Sequence, residues 1–166
     1  MMDTATITKK QTSSVITSGE LLKHWQGHRR LTRRLIEAFP EKEFFEYSIG
    51  GMRPFAAMVQ ELLAVSVPGL RQIAGGKAEE LNEQLADASS KANILAYWNE
   101  ATEDINNYWA EIPDEKFHEY IVLFGQYPGT VLSSILYFID NEIHHRGQAY
   151  VYLRSLGIEP HPFWDR

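Results

Sequence analysis

Four stretches of about twenty residues carry apolar side chains at steps of three and four, and each is bounded by proline or glycine. That pattern leaves a chain of 166 residues few ways to bury its apolar surface other than helix against helix. In the first stretch Leu21, Trp25, His28, Leu31, Leu35 and Phe39 share a face behind a capping box of Thr17 and Glu20, and Pro40 stops it. The second has Pro54 in its first turn and continues through "FAAMVQELLAVSVPGLRQIAGG" to Gly75 and Gly76, with Pro68 expected to kink it or open it locally. Ser90 caps a third, with Ile94, Trp98, Ala101, Ile105, Tyr108 and Ile112 inward and Pro113 at its end. The fourth opens at Gly129 and Thr130 and runs to Leu156, where Gly157 and then Pro160 end it.

Between them, "EKEFFEYSIGGM" reads as a connection with aromatic anchors and "KAEELNEQLADASS" as a polar crossover. The run "YIVLFGQYPG" at 120–129 is rich in β formers, but one short strand has no partner elsewhere, so it reads as a buried connecting segment. The expected fold is all-α, a four-helix bundle forming one domain over residues 18–166, preceded by a loosely ordered arm at 1–17.

Composition narrows the chemistry. Cysteine is absent, so there is neither a disulfide framework nor a thiolate, and any metal must sit on His, Asp, Glu or amide oxygen. A net charge of -6 with mixed signs opposes binding to a phosphate backbone, and nucleic acid is not an expected partner. The basic cluster "KHWQGHRRLTRR" at 23–34 recurs at helical spacing and reads as a solvated face. The first residues lack the apolar core of a signal peptide, and no apolar run approaches the roughly 18 residues a membrane span needs, so a cytoplasmic protein with no membrane partner is expected.

Polar residues then appear where the helical period allows none cheaply. Along the fourth helix Val131, Phe138, His145, Ala149, Tyr152 and Leu156 fall on one line, with Asn141 and Glu142 to either side of it, while His144 points away. On the second helix Glu61 shares the face of Ala57, Met58 and Val65. A carboxylate in a bundle core must be paired, hydrogen-bonded or metal-bound, because uncompensated burial costs several kcal/mol. Two readings follow: an ion pair of Glu61 with Arg146 or His145, or a metal site built from Glu61, Asn141, Glu142 and His145. His28 reads first as a hydrogen-bonded core histidine beside Trp25 and second as a further ligand or general base, His24 lies one turn earlier, and His161 reads as part of an aromatic plug formed by the tail "PHPFWDR".

The segment "HHRGQAYVYLRSLGIEP", and within it "HRGQ" followed by "YLRSLG", resembles the signature of the DinB-like (DinB/YfiT-like) superfamily of four-helix-bundle proteins. The helix plan fits that resemblance from about residue 18 to the end. The resemblance implies a divalent metal, nickel or zinc first, with iron or manganese also suited to such donors, held by three histidines: one on the second helix and two spaced by four on the last. His145 matches the second of that spaced pair, but its partner falls on Asn141 and the second-helix histidine falls near Glu61. The departure means either a lost site or a site rebuilt from Glu61, His145 and one of Asn141 and Glu142, and the rebuilt site is the expectation here.

The resemblance also implies a homodimer and a small-molecule substrate, with a low-molecular-weight thiol such as bacillithiol or mycothiol activated by the metal in a transferase or isomerase reaction; metal-dependent hydrolysis is the second expectation. The alternative is a non-enzymatic, dimerising stress-response or interaction protein whose metal site has degenerated. A di-iron centre, suggested by Glu142 and His145 together with Glu115 and His118, is disfavoured because the second pair follows Pro113 in a connection.

Overall fold

The computed structural model describes residues 15–166; most of the expected N-terminal arm lies outside the described residues. Its helices are α1 (Ser18–Ala38), α2 (Glu41–Glu46), α3 (Phe55–Gly75), α4 (Lys91–Ala110) and α5 (Val131–Ser155). Strands β1 (Tyr120–Leu123) and β2 (Tyr127–Thr130) lie between α4 and α5, after a short 3-10 turn at Asp114–His118. The four long helices form the bundle, with α5 and α4 each packed between α1 and α3.

The helix ends follow local chemistry. Thr17 and Glu20 close the capping box reciprocally: the Glu20 amide donates to Thr17 Oγ1 at 3.2 Å, and the Thr17 amide donates to the Glu20 carboxylate at 2.8 Å. Ser90 and Thr130 cap α4 and α5 through their hydroxyls, and Gly157, at φ 78°, supplies the left-handed residue just past α5. Pro68 does not end α3, which continues to Gly75. The connection after Pro40 contains one element not expected from the sequence, the short α2, which buries Phe44 against Phe39 and Phe55.

The segment at 120–130 corrects the sequence reading. It is a β-hairpin whose second strand comes from the same stretch, pairing Tyr120 with Thr130 and Leu123 with Tyr127. Phe124 (φ 52°) and Gly125 (φ 68°) turn the chain. The hairpin is not buried throughout, because Tyr120, Val122 and Tyr127 are exposed. Gln72 of α3 pins it: its side-chain amide donates to the Val122 carbonyl at 3.0 Å and its carbonyl accepts from the Phe124 amide at 2.9 Å.

Two apolar clusters fill the bundle. One gathers Leu35, Phe39, Phe44, Phe55, Trp98 and Tyr152; the other gathers Trp25, Leu70, Ile105, Trp109, Phe117 and Phe138. Each such side chain, fully buried, stabilises the fold by about 1.5–3 kcal/mol. Where α3 crosses α5 the fit is closest at Gly69, since a Cβ there would lie 2.4 Å from Phe138 Cζ. Only a glycine lets the two helices approach this far, and that approach sets the position of Phe138 beside the cleft described below.

The expected aromatic plug is different in detail. Phe163 and Trp164 are exposed, and the tail is held on α1 instead by Arg34, whose guanidinium meets the Asp165 carboxylate at 2.9 Å. Among the described residues no helix is long and apolar enough to cross a membrane.

Candidate functional site

The helical period brings Glu61 of α3 and His145 of α5 together across the interface of these helices. Glu61 Oε1 lies 3.3 Å from His145 Nε2 and accepts from the Asn141 amide at 3.0 Å. The other oxygen, Oε2, accepts from the Arg53 guanidinium, which also approaches Glu83 Oε2 at 3.6 Å. The ring is oriented from behind. His145 Nδ1 meets Gln148 Oε1 at 2.9 Å, and the Gln148 amide group faces the Met52 sulfur at 3.6 Å. With that carbonyl accepting from the Nδ1 N–H, the ring's other nitrogen, Nε2, is the one turned to the carboxylate.

Burial pushes the Glu61 carboxyl up, but hydrogen bonds from Arg53 and Asn141 and the charge of His145 outweigh it, so the group is held below the ordinary carboxylate value. Glu61 is therefore an ionised acceptor at neutral pH. Its side chain is 14% exposed and His145's is 9%, so the pair is sheltered without being sealed.

The opening is a cleft of about 270 Å³ between α3, α5, the crossover and the hairpin. Glu61 and Val65 line it from α3, Ser133, Ser134, Tyr137 and Phe138 from α5, Leu123, Phe124, Tyr127 and Pro128 from the hairpin, and Leu81 and Glu83 from the crossover. Glu61 thus belongs both to the cleft wall and to the polar cluster behind it.

Of the four residues expected to gather, the structure brings Glu61, Asn141 and His145 together and turns Glu142 elsewhere. Glu142 points to α1, where its carboxylate accepts from Trp25 Nε1 at 3.1 Å and from Thr32 Oγ1 at 2.6 Å. Two residues adjacent in sequence are about 100° apart around a helix, enough to send Asn141 to one interface and Glu142 to another. Burial raises the Glu142 carboxyl against the opposing pull of Arg29, the Thr32 hydroxyl and Arg146. Arg29 is itself buried, stacked 3.5 Å over the centre of the Trp98 ring and lowered by burial to about 10.

Arg146, considered above as a partner of Glu61, instead contacts His28 Nδ1 at 2.8 Å, and His28 Nε2 meets His24 Nε2 at 3.0 Å. Burial, with Arg146, His24 and Arg166 nearby, lowers His28 to about 3, the state of a neutral core histidine. Glu115 and His118 sit on the 3-10 turn, away from the bundle interfaces that a di-iron centre would use.

Sequence reasoning missed Arg53 and the cleft. Arg53 precedes the first turn of α3 and lies outside any helical projection, and the cleft depends on where the hairpin folds.

A resident divalent ion would need at least three such donors facing one point. His145 Nε2 and Glu61 Oε1 are spaced as two neighbouring ligands of one ion would be, but the third candidate, Asn141, directs its amide N–H at Glu61 and offers an oxygen only if it turns over. Arg53 already supplies Glu61 with a positive charge. Among the described residues no group of three or more His, Cys, Asp or Glu side chains is placed to hold a metal. These residues do not fit the resident ion that the resemblance implies.

No curated protein matches the chain. Several solved structures share its fold, two DinB-like proteins among them. A DinB-like protein from Bacillus cereus ATCC 10987 aligns with a TM-score of 0.70 at 16% identity, over 87% of this chain and 95% of the other. A DinB-like protein from Bacillus subtilis aligns with a TM-score of 0.67 at 20% identity, over 88% of this chain and 98% of the other. At these identities the likeness speaks for the bundle, and the sequence evidence comes from the DinB family model, which matches residues 1–164. A match over nearly the whole length, together with the bundle topology, makes this chain a member of the DinB family.

Proposed function

We propose that this DinB-family protein binds a small molecule in the cleft between α3, α5 and the hairpin, and that Glu61 and His145 act on it by proton transfer without a resident metal. The observation that carries this reading is that Glu61 is at once a wall of the cleft and the partner of His145. An ionised carboxylate beside an imidazole can accept a proton from a ligand at Oε1 and pass it to Nε2, and Gln148 holds the ring in the orientation this needs. Asn141 fixes the carboxylate, and Arg53 keeps it ionised. The expected thiol relied on a metal to become a thiolate, so it is not carried into this reading.

The test combines ligand screening with metal analysis. Compounds that raise the Tm of the native chain are expected to lose that effect in Glu61→Gln while the unliganded Tm stays nearly unchanged. Protein purified without an affinity tag is expected to hold no stoichiometric metal by mass spectrometry. Near-stoichiometric nickel, zinc, iron or manganese that disappears in both Glu61→Ala and His145→Ala would overturn the metal-free reading in favour of the rebuilt metal site.

A second reading, a dimerising interaction protein without chemistry, draws on the outer face of α5. Leu136, Ile143 and Val151 are exposed there, an apolar stripe along one helix that a second copy of the chain could cover. Sedimentation that gives a monomer at micromolar concentration counts against it, and a dimer lost on Ile143→Asp counts for it.

A further inference from the structure

The cleft is chemically one-sided. Its two charged wall residues, Glu61 and Glu83, are both carboxylates, and the remaining walls include the rings of Phe124, Tyr127, Tyr137 and Phe138. Carboxylates beside aromatic faces in a partly desolvated space attract cations twice over, through direct charge and through the ring quadrupoles, and they repel anions. The Tyr137 phenol registers the same field: burial raises its pKa first, and Glu61, Tyr127 and Glu83 raise it further.

A cation already serves these carboxylates. The Arg53 guanidinium reaches Glu61 with one nitrogen and Glu83 with the other, the latter at 3.6 Å. It does so from outside the cleft wall, with its side chain 46% exposed and that of Glu83 47% exposed. The Arg53–Glu83 arm of this bridge, half-exposed on both sides, is held weakly, because water and salt screen it and two flexible side chains must be ordered. Such a bridge can be exchanged for another cation.

Resting on the reading of this cleft as the binding site, we infer that its ligand is an organic cation, an ammonium or guanidinium group on a small aromatic or aliphatic body, and that Arg53 holds the place of that cationic head in the free protein. The body occupies the aromatic part of the cleft, and the head bridges Glu61 and Glu83. This arrangement also brings a proton donor, an ammonium N–H, to the carboxylate beside His145.

The experiment is an NMR titration of the full chain with three probes of one shape and different charge: phenethylamine, 2-phenylethanol and 3-phenylpropanoate. The amine is expected to bind about ten-fold more tightly than the alcohol, with amide shifts at Ser134, Tyr137 and Phe124, and the propanoate more weakly than either. Glu83→Gln, a change at an exposed side chain, is expected to weaken the amine several-fold and leave the alcohol unchanged. Arg53→Ala is expected to tighten the amine by removing its internal competitor. If amine and alcohol bind the cleft equally, the cation inference fails while the cleft reading stands. If no probe binds, or the shifts map outside the cleft, both fail.

Discussion

The two faces of α5 each meet a carboxylate site, and they are built on opposite principles. Toward α1 and α4, Glu142 is sealed: it is 2% exposed, Trp25 and Thr32 donate to it, and burial raises its pKa against the charges of Arg29 and Arg146. Toward α3, Glu61 is held by Asn141, His145 and a half-exposed arginine, and it opens onto a cleft. The first arrangement has no room for a ligand and contributes to the fold; the second gives up some packing and leaves a reactive group within reach. A buried polar group is thus not by itself a sign of function. What separates the two is access: Glu142 is sealed between helices, whereas Glu61 forms part of the wall of a cleft.

The sharpest way to break this comparison is to remove each carboxylate in turn. Glu142→Leu leaves Arg29 buried without its counter-charge and strips Trp25 and Thr32 of their acceptor, so a loss of about 3–5 kcal/mol in urea denaturation is expected. Glu61→Gln, at the open site, is expected to change stability by less than about 1 kcal/mol. Equal losses from the two variants would show that the α3 face is structural too.

A smaller effect links packing to the cleft. Gly69→Ala drives a Cβ into the Phe138 ring, and an overpacked contact of this kind costs about 1–3 kcal/mol. Because Phe138 lines the cleft, the same variant is expected to weaken ligand binding in an NMR titration without any change to Glu61 or His145.

A further expected effect is a pH dependence carried by the α1 face. His28 is neutral in the fold, with its value lowered to about 3 by burial and then by Arg146, His24 and Arg166, whereas in the unfolded chain it takes up a proton near pH 6.5. Between those values the unfolded state binds more protons, so stability falls as pH falls, by at most about 1.4 kcal/mol per pH unit. Glu142, raised by burial, acts in the opposite sense: its contribution decreases as pH rises above its unfolded value of 4.5. Denaturation curves of the native chain and His28→Gln between pH 4 and 7 are expected to differ in slope, the variant losing the part of the fall toward acid pH that His28 contributes. Identical slopes would mean that His28 is not a neutral core residue.

Much of this was legible in the residues themselves. Thr17, Ser90 and Thr130 announce helix starts, and Gly157 a stop, because capping is a local bargain between a side chain and a few backbone groups. The stripe through Phe138, His145, Ala149 and Tyr152 is buried as its spacing requires. The meeting of Glu61, Asn141 and His145 was also within reach of helical projection. The side taken by Glu142 was not, because a projection gives an angle and not the neighbour waiting at that angle. The β-hairpin was misread as a buried connection because its two strands are four residues each, and only Gln72 on a distant helix shows where they attach.

The sequence by itself determined the helices, their ends, the absence of cysteine chemistry and the pair of helices from which a polar site would be drawn, since these depend on periodicity and on contacts a few residues apart. Only the tertiary structure decided which carboxylate is sealed and which is open, and that Arg53, rather than Arg146, neutralises Glu61. The physical reason is that compensation of a buried charge is settled within about 4 Å, by whichever groups the packing of separate elements brings there, and sequence spacing does not measure that distance.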